Sequence, residues 1–146
     1  MSATPKADTA VYETGNNLAH GIDMLNAIRA NAAVHEISDS WGICEPVLPA
    51  SLIQAENTAL ELNAVAGKSV FVATGDSGSS DCKPLGLAGL FTDDPASQPF
   101  ATGVGGTKLT VRPARAENAW KYGGGGISRW WPKPQYQAGK TLVIAN

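Results

Sequence analysis

Leu18, Ile22, Leu25 and Ile28 recur at close to helical spacing, with polar positions between them. This pattern predicts an amphipathic helix over residues 16–30, with Asn16 or Asn17 able to cap its start. The next apolar segment, residues 33–37 running on to Trp41, is short enough for a strand and ends at Gly42. Asp39 and Ser40 weaken its alternation, as suits a strand whose end enters a polar site. Pro49 opens a second predicted helix through Leu62, with Leu52, Ala55, Ala59 and Leu62 on one face and Gly67 beyond its end. The compact β-branched and aromatic run SVFVAT, residues 69–74, predicts a buried strand.

Helix, strand, helix, strand is the order expected of a parallel sheet covered by right-handed crossovers, so the predicted class is α/β. GDSGSSDCKPLGLAGLFTDDPASQP, residues 75–99, is a long loop by its Gly, Pro, Ser and Asp content. It follows the C-terminal end of a buried strand, where open α/β sheets place ligands. FATGVGG and TKLTV, residues 100–111, read as further strands. From Arg112 the chain is polar and turn-rich, with GGGG at 123–126 followed by ISRWWPKPQYQ. Trp130, Trp131 and Tyr136 could line a groove, but aromatic residues beside prolines more often pin an irregular loop to a core. The closing TLVIAN, residues 141–146, is strongly apolar and has no capping element.

Composition narrows the class. At 146 residues the chain has the length of one domain, and a formal net charge of -2 without a basic block argues against nucleic-acid binding. No stretch is long and apolar enough for a membrane span, and residues 1–9 lack the apolar run of a signal peptide. Cys44 and Cys82 belong to no CxxC pair, which speaks against a zinc site or a dithiol redox motif and leaves one disulfide open. Such a bond would imply an oxidising compartment.

The most informative local signal is GDSG, in which flanking glycines permit a sharp turn presenting Asp76 or Ser77 at a strand end. The tetrapeptide also occurs around the nucleophile of chymotrypsin-like peptidases, but two helical patterns bracketing a buried strand exclude that all-β fold. Taken alone, Asp76 and Ser77 are expected to hydrogen-bond loop backbone. His20 and His35, the only imidazoles, are expected to be structural or solvated. No GxSxG elbow, HExxH pair or phosphate-binding loop occurs. Asp81, Asp93 and Asp94 do not have EF-hand spacing and are expected to be solvated carboxylates.

Four segments together resemble the sedolisin family of serine-carboxyl peptidases, subtilisin-like proteins that act at acidic pH. They are SDSWGICE at 38–45, VFVATGDSGSSDC at 70–82, DPASQPFATGVGGTKL at 94–109 and GGGGISRWWPKPQYQ at 123–137. Their order and spacing match as well, and PKADTAVYE at 5–13 is similar to the segment entering the family's second sheet strand. The resemblance implies a subtilisin-like parallel sheet with covering helices, present in part over residues 1–146. It assigns Asp76 to the oxyanion hole, where a protonated carboxyl donates a hydrogen bond to the developing tetrahedral oxyanion. Ser40, Trp41, Gly42 and Gly75 correspond to the substrate-binding edge, where a peptide could pair as an added strand. Cys44 with Cys82 corresponds to a disulfide of some secreted members, a closure that stabilises by roughly 3 to 4 kcal/mol on an entropy-only estimate.

The departures from the family are as specific as the matches. The family's Glu and Asp, one helical turn apart, lie just before the segment matched by residues 5–13, and its serine lies in a downstream GTS segment near a calcium site. Neither segment occurs among these 146 residues. Lys108 follows Thr107 in GGTKL, which matches an earlier family segment, and Asp8 and Glu13 do not replace the missing acids. The expectation is a serine-type endopeptidase of this family by resemblance, present as a piece inactive by itself. The alternative is a non-catalytic remnant binding peptides or a partner chain through the Trp41 edge. The resemblance implies a peptide or protein substrate, missing segments of the same domain as partners, and a secreted or extracytoplasmic location. No cofactor is expected in this chain, while calcium is expected in complete family members.

Overall fold

A computed structural model describes residues 5–139; the apolar stretch at 141–146 lies outside them. Helix α1 is Leu18–Ala30, capped by Asn17, whose side chain accepts the His20 N–H at 3.0 Å. Strand β1 (Glu36–Asp39) follows, then the two-residue strand β2 (Ile43–Cys44) and helix α2 (Ala50–Val65). Strand β3 (Ser69–Ala73) leads into the long loop, which contains β4 (Asp93–Asp94). Strands β5 (Thr102–Val104), β6 (Thr107–Thr110) and β7 (Ala116–Ala119) complete the order.

The central sheet has the order β1-β3-β5 and is parallel throughout, with Ile37 beside Val70 and Phe71 beside Thr102. Val70 and Val72 point to the helix side, where they join Ile37, Leu25, Ile28, Ala59 and Leu60 in one buried core. The other face presents Phe71 and Val104, both more than a third exposed. This is the α/β arrangement of a subtilisin-like domain, present in part. Outside the central sheet, β2 pairs antiparallel with β4, and β6 with β7.

Three sequence expectations change. The first strand begins at Glu36, because a turn from Asn31 to Val34 occupies the preceding residues. The buried Lys68 side chain sustains that turn by donating to the Asn31 and Val34 carbonyls. The inward face of α2 is Ile53, Glu56, Ala59, Leu60 and Asn63, so of the four residues predicted for that face only Ala59 is buried. An apolar pattern overlooks Glu56 and Asn63, yet Asn63 belongs inside because its amide donates to the Leu25 and Ala59 carbonyls. The polar stretch after Arg112 contains β7, all four residues of which are exposed, so no apolar alternation could mark it. Near the C-terminal end, Trp131 is half-buried while Tyr136 is exposed, so of these two the tryptophan anchors the proline-flanked loop.

Replacing Lys68 with Ala is expected to lower stability by about 1 to 3 kcal/mol, since the Val34 carbonyl would lose a buried donor. Urea unfolding of K68A against wild type checks this through the midpoint at unchanged slope.

Candidate functional site

Because β1 and β3 run in the same direction, their C-terminal ends open onto one edge of the sheet. The chain leaves β1 through Ser40, Trp41 and Gly42 and leaves β3 through Thr74, Gly75 and Asp76. The β2–β4 ladder adds a third wall by setting Cys44 opposite Asp93. A disulfide joins Cys44 to Cys82 across a separation of 38 residues, with Cα atoms 5.3 Å apart, and ties the long loop to this ladder. Between these walls lies a cleft of about 420 Å³ lined by Ser40, Trp41, Gly42, Gly75 and Asp76 with Asp81, Pro84, Leu85 and Asp93. All five sequence-derived candidates for catalysis and substrate binding therefore border one space. His20 and His35 are exposed and do not line the cleft.

Glycine is required where these walls meet. Gly75 has φ +96°, and a Cβ there would collide with Asp81 Oδ2 and lie 2.7 Å from Asp93 Oδ2. The two carboxyl groups thus converge over a bare backbone. Gly124 passes so close to the same turn that a Cβ on it would overlap the Thr74 carbonyl oxygen, and its N–H donates to the Gly75 carbonyl at 3.1 Å. The glycine run is a strap laid across the end of β3.

Glu45 fastens the strap's far end. It is fully buried and accepts from Ser97 Oγ at 2.9 Å, from Ser128 Oγ, and from the Arg129 N–H at 2.6 Å. Ser128 Oγ in turn accepts from the Trp131 N–H at 2.9 Å, which folds the SRWW turn against the cleft's support. Trp41 is held from two sides: its backbone N–H donates to Asp39 Oδ1 at 2.9 Å and its indole N–H to Asn16 Oδ1 at 2.7 Å. Burial raises the Asp39 carboxyl above its ordinary pKa, and the Trp41 N–H partly offsets this.

Asp93 and Asp94 are not solvated, contrary to the sequence expectation: they are 8% and 0% exposed. Pairing of β4 with β2 draws them inward, and a two-residue strand gives no periodic signal by which to foresee it. Burial, the hydrogen bond and charge of Asp81, and the charges of Asp76 and Asp94 push Asp93 up to about 7. Its Oδ1 is buried with no hydrogen-bond partner. Asp76 is exposed at the cleft edge, where it is open to an incoming ligand. Among the described residues, no group of three or more His, Cys, Asp or Glu is arranged to hold a metal ion. Glu45, Asp81, Asp93 and the Gly124 strap were not assigned to the site from the sequence; the Gly-rich and Asp-Asp-Pro strings were visible, but not what they would contact.

The Asp93 carboxyl is expected to titrate near pH 7 in the folded protein, and Asp81→Asn to move that midpoint down by removing a neighbouring charge. Carboxyl-carbon NMR across about pH 4 to 9 reads both midpoints. Since the folded pKa is raised, this group's contribution to stability is complete below its ordinary value of 3.8 and is lost as pH rises through about 7.

The chain is similar in sequence or fold to known proteins, among them the following three. Kumamolisin from Bacillus sp. (strain MN-32) is 37% identical over 148 residues, covering 91% of this chain and 26% of its own length. Tripeptidyl-peptidase 1 from Homo sapiens is 34% identical over 144 residues, covering 94% of this chain and 25% of its own. Among solved structures, Pseudomonas sedolisin, a serine-carboxyl proteinase complexed with two molecules of pseudo-iodotyrostatin, superposes with a TM-score of 0.72 at 28% identity. That match covers 84% of this chain and 38% of the sedolisin chain. No family model matches the chain. The chain spans about a quarter of the length of the curated relatives it matches. With the parallel sheet and the disulfide in place, sequence and fold together put this chain in the sedolisin family of subtilisin-like serine-carboxyl peptidases, as a part of the domain.

Proposed function

We propose that this chain forms the oxyanion side and part of the substrate-binding edge of a peptide-hydrolysing site. The observation that carries this reading is the convergence of Asp76 and Gly75, from the end of β3, with Ser40, Trp41 and Gly42, from the end of β1, on one cleft. A peptide substrate lies along residues 40–42 as an added strand, its scissile carbonyl directed toward Asp76. In the complete reaction a serine hydroxyl attacks that carbonyl and passes its proton to a glutamate base. The carbonyl oxygen becomes an oxyanion, and Asp76 donates to it. A carboxyl donates only while it carries its proton.

The serine and its activating acids come from segments beyond these 146 residues, either of the same domain or of a complementing chain. Calcium belongs to the complete family members, and no step here is routed through it. A disulfide in the cleft wall fits a secreted or extracytoplasmic setting, and no described helix is long and apolar enough to cross a membrane. A second reading, a non-catalytic piece that binds a partner segment, draws on the exposure of Phe71 and Val104 on the open face of the sheet.

Hydrolysis of an unfolded protein substrate across about pH 3 to 7 tests the first reading. The folded 146-residue chain is expected to show no turnover. In a form carrying the serine and acid segments, Asp76→Ala is expected to lower kcat by about a hundredfold to a thousandfold. Turnover by the 146-residue chain that collapses in D76A would mean that other residues complete the site. An unchanged kcat for D76A in the complete form would remove Asp76 from the oxyanion hole.

A further inference from the structure

Beneath the cleft, and outside the proposed chemistry, two carboxyl groups meet in the protein interior. Glu56 projects inward from α2 and is 2% exposed; Asp94, at the end of β4, is 0% exposed. Their side chains lie close enough for each to bear on the other's protonation. The Gln98 amide serves both, donating to Asp94 Oδ1 at 2.7 Å and lying 3.5 Å from Glu56 Oε2. Asp94 Oδ2 is buried and no described group donates to it. A hydrogen bond between two carboxyl groups requires a proton on one of them, and two bare carboxylates at this depth would repel.

The surroundings of the pair are acidic. The charged groups that act on it are Asp39 from the end of β1, Glu45 from the turn before α2, and each partner's own carboxyl. Asp93, adjacent in β4, is a further acid. Lys68, a buried cation, sits before the start of β3, at the opposite end of the strand from the cleft, and is engaged by the Asn31 and Val34 carbonyls.

We propose that Glu56 and Asp94 share one buried proton, and that this proton latches β4, with the cleft wall it carries, onto helix α2. The latch holds in acid and is released as pH rises. It goes beyond the peptidase reading and does not depend on it, because it concerns the chain's own folding equilibrium.

Burial first, and then the Asp94 hydrogen bond and charge, lift Glu56 well above the ordinary carboxylate range. The folded chain therefore binds a proton that the unfolded chain gives up above the ordinary Glu value of 4.5. Stability supplied by this group is complete below that value and declines above it, the unfolding constant rising about tenfold per pH unit for one proton. Since β4 carries Asp93 into the cleft and pairs with Cys44, loss of the proton loosens the wall opposite Asp76.

Urea unfolding of the 146-residue chain and of Glu56→Gln, at intervals between about pH 5 and 8, tests the shared proton. The introduced amide keeps the shape of the glutamate and an N–H donor for Asp94 but does not titrate. Asp93 titrates in both proteins, so its effect cancels to first order in the comparison. The unfolding constant of the wild type is expected to rise about tenfold more per pH unit than that of E56Q. Equal slopes would overturn the proposal. Infrared spectroscopy of folded Asp93→Asn, in which Asp93 contributes no band, is expected to show a buried carboxylic-acid C=O band at about pH 7, and its absence would overturn the proposal even where E56Q fails to fold. Amide exchange reads the latch itself. The Glu45 N–H, bonded to the Thr92 carbonyl beside the β2–β4 ladder, is expected to lose protection progressively in the wild type as pH rises above the ordinary Glu value of 4.5, because each opening releases the proton. Protection that stays constant from acid to alkaline pH would overturn the release of β4.

Discussion

The parallel pairing of β1 with β3 is the constraint from which the arrangement of this chain follows. Strands paired in this sense end at the same edge, so whatever follows each must share that edge. The segment after β1 brings Trp41 and Gly42, and the segment after β3 brings Gly75 and Asp76. Parallel strands also require a crossover, and α2 supplies it, placing its inward face against Val70 and Val72. The core and the cleft are thus two results of one pairing. The β2–β4 ladder and the Cys44–Cys82 bond then hold a loop that would otherwise be long and unsupported.

Around this frame the molecule treats its buried acids in two ways. Glu45 is fully enclosed but receives two hydroxyl donors and a backbone N–H, the environment that suits a carboxylate. Glu56 and Asp94 share the amide of one glutamine, and Asp93 faces Asp81. The first arrangement favours negative charge; the second favours a retained proton. Both the cleft and its foundation are therefore carboxyl-rich, and both are easier to hold together in acid. That preference arises from the burial of specific side chains.

Glycine has a comparable double use. The run at 123–126 reads in isolation as a flexible turn, but Gly124 and Gly126 lie against backbone at Thr74 and Phe91, where a side chain has no room. The strap is close-packed, and Glu45 anchors it through Ser128 and Arg129. The lack of a side chain at Gly124 is what lets a distant part of the chain support the turn that presents Asp76.

Apolar periodicity by itself determined α1, β1 and β3 to within a few residues, and their order determined a parallel α/β sheet, because crossover chirality leaves few alternatives. The motif strings determined the family, and with it the association of Asp76, Gly75 and residues 40–42. Tertiary structure alone decided that Glu56 and Asn63 face inward, since a polar residue is buried only where a distant partner satisfies it. It also decided the burial of Asp93 and Asp94, through pairing with a strand about fifty residues earlier whose two residues carry no period. Local pattern reports what a segment can bury, whereas the protonation of a carboxyl depends on which groups the fold sets around it, and that is a property of the assembled chain.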